Sequence, residues 1–504
     1  MMKFGIKAVH ICLCLQMAAA FIQNPVSMTP PPIKVVSTAK IIGCQKNQLG
    51  LPAATAYIQD GEENNGEFQQ RKRSVSAILS SSFLNLLGFT MAGPITPALG
   101  KHFDLGVGAS FGSLTSAYPA GMLFGLFLWP RLSDKIGRKP IITLSLLGSG
   151  IGLLLQSMVI RSNAPLAYFL AARALTGALA GSGPVSKAYL ADVGYKDGEL
   201  PRYLALRDAA CTMAFIVGPV LGGLVYDVRG MVIKWLQGTG AALPSTSNSL
   251  AFTIAVSAAA SLMASGLVGF FVNDAKKLKS KEMKEATKDT SKVDESSEEL
   301  ISCPLGTSMW TGVASVCLVS FLFNIGDSTF HAFFSALLRD GAGLKTRGIG
   351  MLYTLLACIS FSVSTLGSGF ILKTLGPVAA CAIGLGLIGS GLLSFGAAAW
   401  TGVSSIGPSL GILTAAAAIY YAGVPLYGPS VPTMLLRCVP SSERGAIMGL
   451  DSAINTVGRI ISPLFMGEIY RRFGAGAAFG LAGSLVFVGM GTTLYRRFLV
   501  LKDA

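Results

Sequence analysis

The chain has 504 residues, of which 51% are hydrophobic and 13% are charged, and its formal net charge at pH 7 is +15. A mean hydropathy of +0.58 excludes a water-soluble globular protein and indicates a polytopic membrane protein. Because Lys and Arg mark the cytoplasmic loops of such proteins, the positive charge is no sign of nucleic-acid binding. With three histidines in the chain and no metal-binding cysteine spacing, we expect neither an enzyme nor a cofactor or metal site.

The first 74 residues precede the apolar spans and resemble targeting sequence. Residues 1–20 predict a signal peptide, with two lysines before a short apolar core and small residues at 18–20 as a cleavage site. Residues 21–74 predict a transit-like or disordered extension, which has no acid before Asp60. This arrangement resembles the bipartite presequence of algal plastids that lie inside secretory membranes. A plastid envelope is therefore one expected location, and the plasma membrane or another endomembrane is the alternative.

Twelve apolar stretches follow, each close to the ~20 residues that a helix needs to cross a bilayer. They lie near 75–99, 109–130, 140–160, 165–190, 205–227 and 249–272, and then near 309–338, 348–372, 377–400, 407–436, 445–469 and 475–495. The lysine-rich segment 273–308 predicts a cytoplasmic linker between residues 75–272 and 309–497, and 498–504 a cytoplasmic tail. Lys and Arg concentrate in the loops on the side of both termini, which places that side in the cytoplasm.

The two halves share a repeated pattern. Residues 82–90 align with 320–328, Gly183 with Gly428, and Pro219 with Pro463, at offsets of about 240 residues. Two related six-helix halves predict a pseudo-twofold axis along the membrane normal and a site at their interface near the bilayer midplane. The sequence thus predicts an all-α membrane protein with twelve transmembrane helices in two pseudo-symmetric bundles.

The loop between spans 2 and 3 carries the most specific motif. Asp134 is a single acid in a basic turn that also holds Gly137, Arg138 and Lys139. Glycine permits a backbone that other residues would strain, and the cations hold the loop in the cytoplasm. Residues 132–139, Leu-Ser-Asp-Lys-Ile-Gly-Arg-Lys, resemble the signature loop of the major facilitator superfamily, although a proline precedes them where the family usually has glycine. The resemblance implies that these four residues form a gate whose acid meets the start of helix 11.

Arg173 lies about eight residues into span 4, near the middle of the bilayer. A charge at this depth needs a partner or a wet cavity. The run from Arg173 to Gly177 resembles the helix 4 motif of the same superfamily, whose arginine is linked to proton coupling. A structural arginine paired with backbone carbonyls is the alternative.

Span 5 carries a second motif, whose members are Gly218, Pro219, Gly222 and Gly223. Proline removes a helical hydrogen bond and glycine lets another helix come close, so that we expect a fixed bend here. The run resembles the second half of the motif typical of the antiporter branch. The full motif has glycine at two further positions where this chain has alanine. The chain therefore carries part of the motif, and that part indicates antiport.

Several polar residues in the second half are candidates for lining the cavity. Asp451, Asn455 and Arg459 recur every four residues and so share one face of span 11. Asp327 and His331 are also four apart, in span 7, where an interfacial pair is the alternative. The weaker hydrogen-bonding candidates are Asn85 and Tyr118 in the first half and Asn324, Tyr420 and Tyr421 in the second.

The repeat alignment adds a hypothesis about the cytoplasmic gate. Asp192 corresponds to Arg437, and Arg207 corresponds to Asp451, so that the charges at equivalent positions are inverted. Equivalent positions close to a twofold axis face each other across it. We therefore expect these charges to close the gate together with Asp134, with solvated loop charges as the alternative.

These features predict a transporter that moves a small organic solute across a lipid bilayer by alternating access. The resemblance favours the drug or metabolite:proton antiporter branch, which is similar to the tetracycline-resistance proteins, and implies protons as a second partner. No acid lies deep in the first-half spans to carry a proton. A uniporter or symporter of a sugar or metabolite, or a non-transporting sensor of the same fold, is therefore the alternative.

Overall fold

A computed structural model of the chain describes residues 52–197, 200–237, 246–273, 309–401, 410–439 and 444–502. The chain divides into two compact units, Met1–Gln70 and Arg71–Ala504, and the candidate site belongs to the second. The predicted signal peptide, the extension up to residue 51 and the linker from residue 274 to 308 lie outside the described residues.

Within the described ranges, all of the regular secondary structure is helical. The first half contains α1 (Pro52–Thr90), α2 (Thr96–His102), α3 (Ala109–Ile136), α4 (Arg138–Arg161), α5 (Leu166–Leu179), α6 (Ser182–Asp197), α7 (Leu200–Gln237) and α8 (Thr246–Phe271). The second half contains α9 (Met309–Asp340), α10 (Thr346–Val363), α11 (Gly369–Thr401), α12 (Leu410–Leu436) and α13 (Arg444–Lys502). A 3₁₀ turn, Gly93–Ile95, connects α1 to α2, and a π-helical turn, Ser364–Ser368, connects α10 to α11.

Ten helices of the described chain are long and apolar enough to cross a membrane. Two features account for the difference from the twelve predicted spans. The predicted span 4 is divided between α5 and α6, each of which is short. The predicted spans 11 and 12 run together in one 49-residue apolar stretch, Ile447–Tyr495, which is kinked at Gly474 with a φ of 85°. The all-helical membrane fold is confirmed, and the count of twelve stays a prediction.

Side chains of two neighbouring helices, α3 and α4, form hydrogen bonds to the backbone at the break between α5 and α6. Trp129 on α3 donates from Nε1 to the carbonyl of Ala178 at 2.8 Å. Ser145 on α4 donates to the carbonyl of Leu179 at 2.8 Å and accepts from the N–H of Gly181 at 2.6 Å. The backbone groups released by the break are thus paired inside the protein, as a bilayer requires.

The helices of each half pack into a bundle with an apolar outer surface. In the first half α4 packs against α8 and α3 against α5, and in the second half α13 packs against α9 and α11. Phe270 is 86% exposed and Leu366 is 83% exposed, as expected for side chains that face lipid.

The two halves contact each other through α3 with α13 and through α7 with α10. A Cβ atom at Gly112 would lie 2.0 Å from the carbonyl oxygen of Pro463, and one at Gly350 would lie 2.4 Å from that of Pro219, so that only glycine allows these approaches. Gly112 lies near the start of α3 and Gly350 near the start of α10. The distribution of Lys and Arg among the loops places both helix starts on the outer side of the membrane. The halves are therefore joined on that side.

Candidate functional site

A polar pocket lies inside the first half, between α1, α3, α4, α5 and α8. It is lined by Asn85, Gly88, Phe89, Ala92, Tyr118, Ser149, Leu153, Gln156, Arg173, Thr176 and Ser261. Arg173 is the one charged side chain among these, and the rings of Phe89 and Tyr118 lie 5.3 Å apart beside it. The pocket therefore combines one cation with amides, hydroxyls and an aromatic wall.

The Arg173 guanidinium is the least compensated group of the pocket. Its Nε atom is buried, and no hydrogen-bond partner for it lies among the described residues. Its Cζ atom lies 5.9 Å from the centroid of the Phe169 ring, a cation–π distance. A cation at the bilayer centre costs about 2.5 to 3.5 kcal/mol on insertion scales, which a wet cavity or a bound anion would offset.

The neutral groups around Arg173 pair with one another instead. Gln156 donates from Nε2 to the Thr176 hydroxyl at 2.7 Å. Asn85 donates from Nδ2 to the Ser182 hydroxyl and accepts from the Ser261 hydroxyl, both at 3.4 Å. These bonds leave the guanidinium as the group of the pocket with the most donors to offer.

In the second half, Asp327 on α9 is the centre of a buried cluster. Its Oδ1 atom accepts a hydrogen bond from the Tyr420 hydroxyl on α12 at 2.7 Å, and Nε2 of His331 lies 3.5 Å from the same oxygen. Tyr420 is 1% exposed and stacks on Phe330 with 4.2 Å between ring centroids. The side chain of Asp327 is 16% exposed and that of His331 is 46% exposed, so that the pair extends from the bundle interior to its surface.

Arg459 on α13 contacts α9 of its own half. Its Nε atom donates to Oδ1 of Asn324 on α9 at 2.8 Å. Its charge acts on Asp327 and also on Tyr118 of the first half. The charge of Arg173 acts on Tyr118 as well, so that this tyrosine lies within electrostatic range of one arginine from each half.

The other two members of the predicted polar stripe lie nearer the start of α13. Asn455 donates from Nδ2 to Oδ2 of Asp451 at 2.9 Å, and Asp451 is 8% exposed. The Oδ1 atom of Asn455 is buried without a hydrogen-bond partner among the described residues, whereas Ser320 and Cys317 of α9 lie beside the Asp451 carboxylate. Asp451 and Asn455 of the stripe are thus bonded to each other, whereas Arg459 is bonded to Asn324.

The predicted gating loop is intact in its own half. Gly137 separates α3 from α4 with a φ of 121°, a conformation that favours glycine, and Lys139 follows at the start of α4. Arg138 binds Asp134 at 2.6 Å and Asp192 on α6 at 3.2 Å. The ion pairs that the described residues form here do not extend to α13, and the side chain of Asp134 is 63% exposed.

The four charges expected to meet across the axis are likewise engaged within their own halves or exposed. Arg207 donates from Nε to the Ser186 hydroxyl at 3.3 Å, and Arg437 is exposed after α12. The structure brings neither Asp192 and Arg437 nor Arg207 and Asp451 together. Their pairing stays a prediction for a conformation that is closed on the cytoplasmic side.

The predicted antiporter-type segment lies within the continuous helix α7. A Cβ atom at Gly218 or Gly222 would lie 1.9 or 2.3 Å from an atom at the end of α1. At Gly223 it would lie 3.1 Å from the backbone of α10 in the other half. The glycines thus allow α1, α7 and α10 to approach closely. The bend expected at Pro219 stays a prediction.

Several polar residues of the pocket could not be identified from the sequence alone. Ser149, Gln156, Thr176 and Ser261 are isolated polar residues in apolar spans, and the packing of α4, α5 and α8 is what turns them toward Arg173. Gln156 offered the best opportunity, since an amide in the middle of a span is costly against lipid and therefore points to an interior position.

Comparison with known proteins identifies the family. The sequence pattern of the Major Facilitator Superfamily matches residues 78–413. The chain is 28% identical over 158 residues to the tetracycline resistance protein, class H, of Pasteurella multocida, a match that covers 31% of this chain and 38% of that protein. It is 23% identical over 427 residues to multidrug resistance protein 2 of Bacillus subtilis (strain 168), which covers 84% of this chain and 95% of that protein.

The fold agrees with this assignment. The crystal structure of a bacterial homolog to the human lysosomal transporter Spinster, in an inward-facing and unoccupied conformation, matches with a TM-score of 0.64 at 15% identity and covers 86% of this chain and 98% of that one. The superfamily pattern extends over more than half of the chain, and the resemblance read from the loop at Asp134 is confirmed. The chain therefore belongs to the Major Facilitator Superfamily.

Proposed function

We propose that the protein moves a small organic solute by alternating access and exchanges it for protons. That it is a multi-pass membrane protein follows from its family and fold, and both support the transport of a small solute. Exchange is supported by the antiporter-type sequence of α7 and by two relatives that are named for resistance to tetracycline and to multiple drugs.

The observation that carries the proposal is the position of the polar groups relative to the contacts between the halves. The halves are joined near Gly112 and Gly350 on the predicted outer side, while Asp134 is exposed on the other side. We infer an inward-open conformation, with Arg173 and Arg459 reached from the cytoplasm. Closing the cytoplasmic side would bring Asp134 toward the start of α13 and separate the outer contacts.

Asp327 is the best placed proton carrier. It is an acid inside a transmembrane bundle, and such groups mark proton relays. His331 and Tyr420 contact its carboxylate directly, and Arg459 lies within electrostatic range. A proton that binds to Asp327 would therefore change the field at Arg459 and at any solute bound there.

A second mode, symport, is favoured by the same arrangement. An anionic solute drawn to Arg459 would be repelled by an ionised Asp327 and attracted once Asp327 holds a proton. Such a solute would travel with the proton. A neutral or cationic solute would not travel with the proton, and exchange for protons would be the expected mode of transport.

Transport against a gradient tests the proposal. Full-length protein in liposomes would be given an imposed pH gradient and a panel of labelled drugs, sugars, organic acids and amino acids. We expect at least one solute to be concentrated, the effect to collapse with a protonophore, and Arg173→Ala to abolish it. Arg161→Ala, at the exposed end of α4, should behave as wild type. Downhill flux alone would establish a uniporter, and folded protein that moves no solute would contradict transport.

A further inference from the structure

We propose that the polar pocket inside the first half binds one small inorganic anion, such as chloride, as the resident counter-ion of Arg173. This anion is distinct from the transported solute, so that the proposal goes beyond the proposed transport and does not depend on it. It stands on the charge of the pocket, on hydrogen-bond donors that have no partner in the described structure, and on the size of the pocket.

Arg173 is a cation without a counter-ion among the described residues. Its guanidinium forms no hydrogen bond and no ion pair with them, and its Nε atom is buried. The other side chains that line the pocket are uncharged. A cation inside a membrane bundle needs a compensating partner, and burial makes an uncompensated charge costly. A small anion that enters from solution supplies the negative charge that the described side chains of the pocket do not.

Two hydroxyl groups of the pocket also lack an acceptor. Ser149 on α4 is 5% exposed, and its hydroxyl forms no hydrogen bond with the described residues. The hydroxyl of Tyr118 on α3 likewise forms none within the described chain. Gln156 uses one amide proton for Thr176 and keeps a second one. A guanidinium, hydroxyls and an amide are all donors, and a spherical anion can accept hydrogen bonds from several directions at once.

The size of the pocket restricts the anion that it can hold. Its volume is about 50 Å³, and about 10 to 15 Å³ of such space accommodates one water molecule. Pockets for drug-sized molecules measure about 300 Å³ or more. A halide ion with a few waters therefore fits, whereas an organic anion does not. A single guanidinium also balances a single negative charge, so that a monovalent ion is the expected ligand.

The position of the pocket gives the anion a structural role. All of the lining residues belong to helices of the first half, so that movement of the two halves against each other need not open the site. An anion there would connect α5, through Arg173, with α4, through Ser149. A ligand that binds the folded chain and not the unfolded one raises stability. We therefore expect chloride to stabilise the first bundle and to neutralise the charge of Arg173.

Thermal unfolding and equilibrium dialysis test the site without requiring transport. Purified full-length protein in detergent would be heated in sodium chloride, sodium bromide or sodium gluconate at equal ionic strength, so that screening is the same in all three. We expect a saturable rise in Tm with chloride and bromide but not with gluconate, which is too large for the pocket. Dialysis with radioactive chloride should show one ion per chain. Arg173→Gln should lose both effects, and Arg161→Gln, at the exposed end of α4, should keep them.

Ser149→Ala keeps the test decisive should Arg173→Gln fail to fold. It removes a hydroxyl that has no partner among the described residues, so that its Tm in gluconate should equal that of the wild type. Its affinity for chloride should fall by about tenfold, the contribution of a hydrogen bond to a charged group.

Three results would overturn the anion site and leave a pocket that holds water alone. They are a Tm that responds equally to chloride and gluconate, dialysis that shows no bound chloride, and chloride binding that every folded variant of Arg173 and Ser149 retains. Crystals soaked in bromide locate the ion directly. An anomalous peak within hydrogen-bond distance of Arg173 would uphold the site, and peaks found only elsewhere on the protein would contradict it.

Discussion

An arginine inside a membrane bundle has to be compensated, and Arg173 and Arg459 are compensated differently. Arg459 shares its Nε proton with Asn324, while Arg173 rests over the Phe169 ring with its Nε unpaired among the described residues. A cation over an aromatic ring gains roughly 0.5 to 2 kcal/mol, which is less than the cost of placing the charge there. Arg173 is therefore the residue that most needs a hydrogen-bond acceptor from water or from a bound solute.

Tyr420 offers a test of the Asp327 cluster. Replacing it with phenylalanine removes the 2.7 Å hydrogen bond to the carboxylate and leaves the packing unchanged. We expect Tyr420→Phe to lower stability by about 1.5 to 3 kcal/mol, the contribution of a buried hydrogen bond to a charged group. Tyr421→Phe is the matched control, because the neighbouring hydroxyl forms no hydrogen bond within the described chain. Thermal unfolding in detergent at neutral pH measures both, and equal losses would contradict the cluster.

At the scale of elements, the broken helix beneath Arg173 is the feature that shapes the pocket. Pro184 lies in the first turn of α6, where its missing N–H is tolerated, but it prevents α5 from continuing. Trp129 and Ser145 then pair the released backbone groups. The break lies one to two turns beyond Arg173 and so ends the helix near the cavity.

Ser145 should accordingly be important for stability. Ser145→Ala would remove two hydrogen bonds and leave the Leu179 carbonyl and the Gly181 N–H with their mutual bond of 3.0 Å, at about 0.5 to 1.5 kcal/mol for each bond lost. Ser149→Ala, one turn further along α4, removes a hydroxyl that forms no hydrogen bond among the described residues and serves as the control. A lower Tm for the first variant alone is expected, and identical Tm values would refute the role of Ser145.

The glycine contact between α10 and α7 should control closure on the outer side. A Cβ atom at Gly350 would lie 2.4 Å from the Pro219 carbonyl oxygen, which cannot move aside, whereas one at Gly348 would meet the flexible end of Leu344 at 3.3 Å. We expect Gly350→Ala to slow solute flux in liposomes by about tenfold, equivalent to 1.4 kcal/mol on the limiting barrier. Gly348→Ala should remain near wild type, and a Gly350→Ala variant of normal rate would show that the contact is dispensable.

For the whole molecule, transport requires that the cytoplasmic side close. Arg207 and Asp451 occupy equivalent positions of the two halves and are each held within their own half here. If they meet in the closed conformation, Arg207→Asp and Asp451→Arg should each reduce flux strongly, and the double exchange should restore it. A double variant as inactive as the single ones, with folding verified, would remove this pair from the gate.

The sequence predicted the parts of this molecule that rest on composition and on local motifs. Hydropathy and the length of the apolar stretches were enough for the helical membrane fold, and the loop at Asp134 was enough for the family. The break after Leu179 was not foreseen, because the apolar run continues through it and Pro184 looks like a residue of a long helix. The hydrogen bond from Arg459 to Asn324 was not predicted either, since it depends on how α9 and α13 pack and no spacing within one span encodes it.

Solute-driven proton movement is the most direct test of the central claim, that cargo in this cavity is coupled to a proton on Asp327. Full-length protein would be placed in liposomes that contain a pH-sensitive dye, and the solutes that bind would be added outside. The expected result is a change of lumenal pH that accompanies solute entry and is absent in Asp327→Asn, while Asp340→Asn at the exposed end of α9 retains it. Alkalinisation would establish exchange and acidification would establish symport. Solute entry without any pH change, or an undiminished response in Asp327→Asn, would contradict the account.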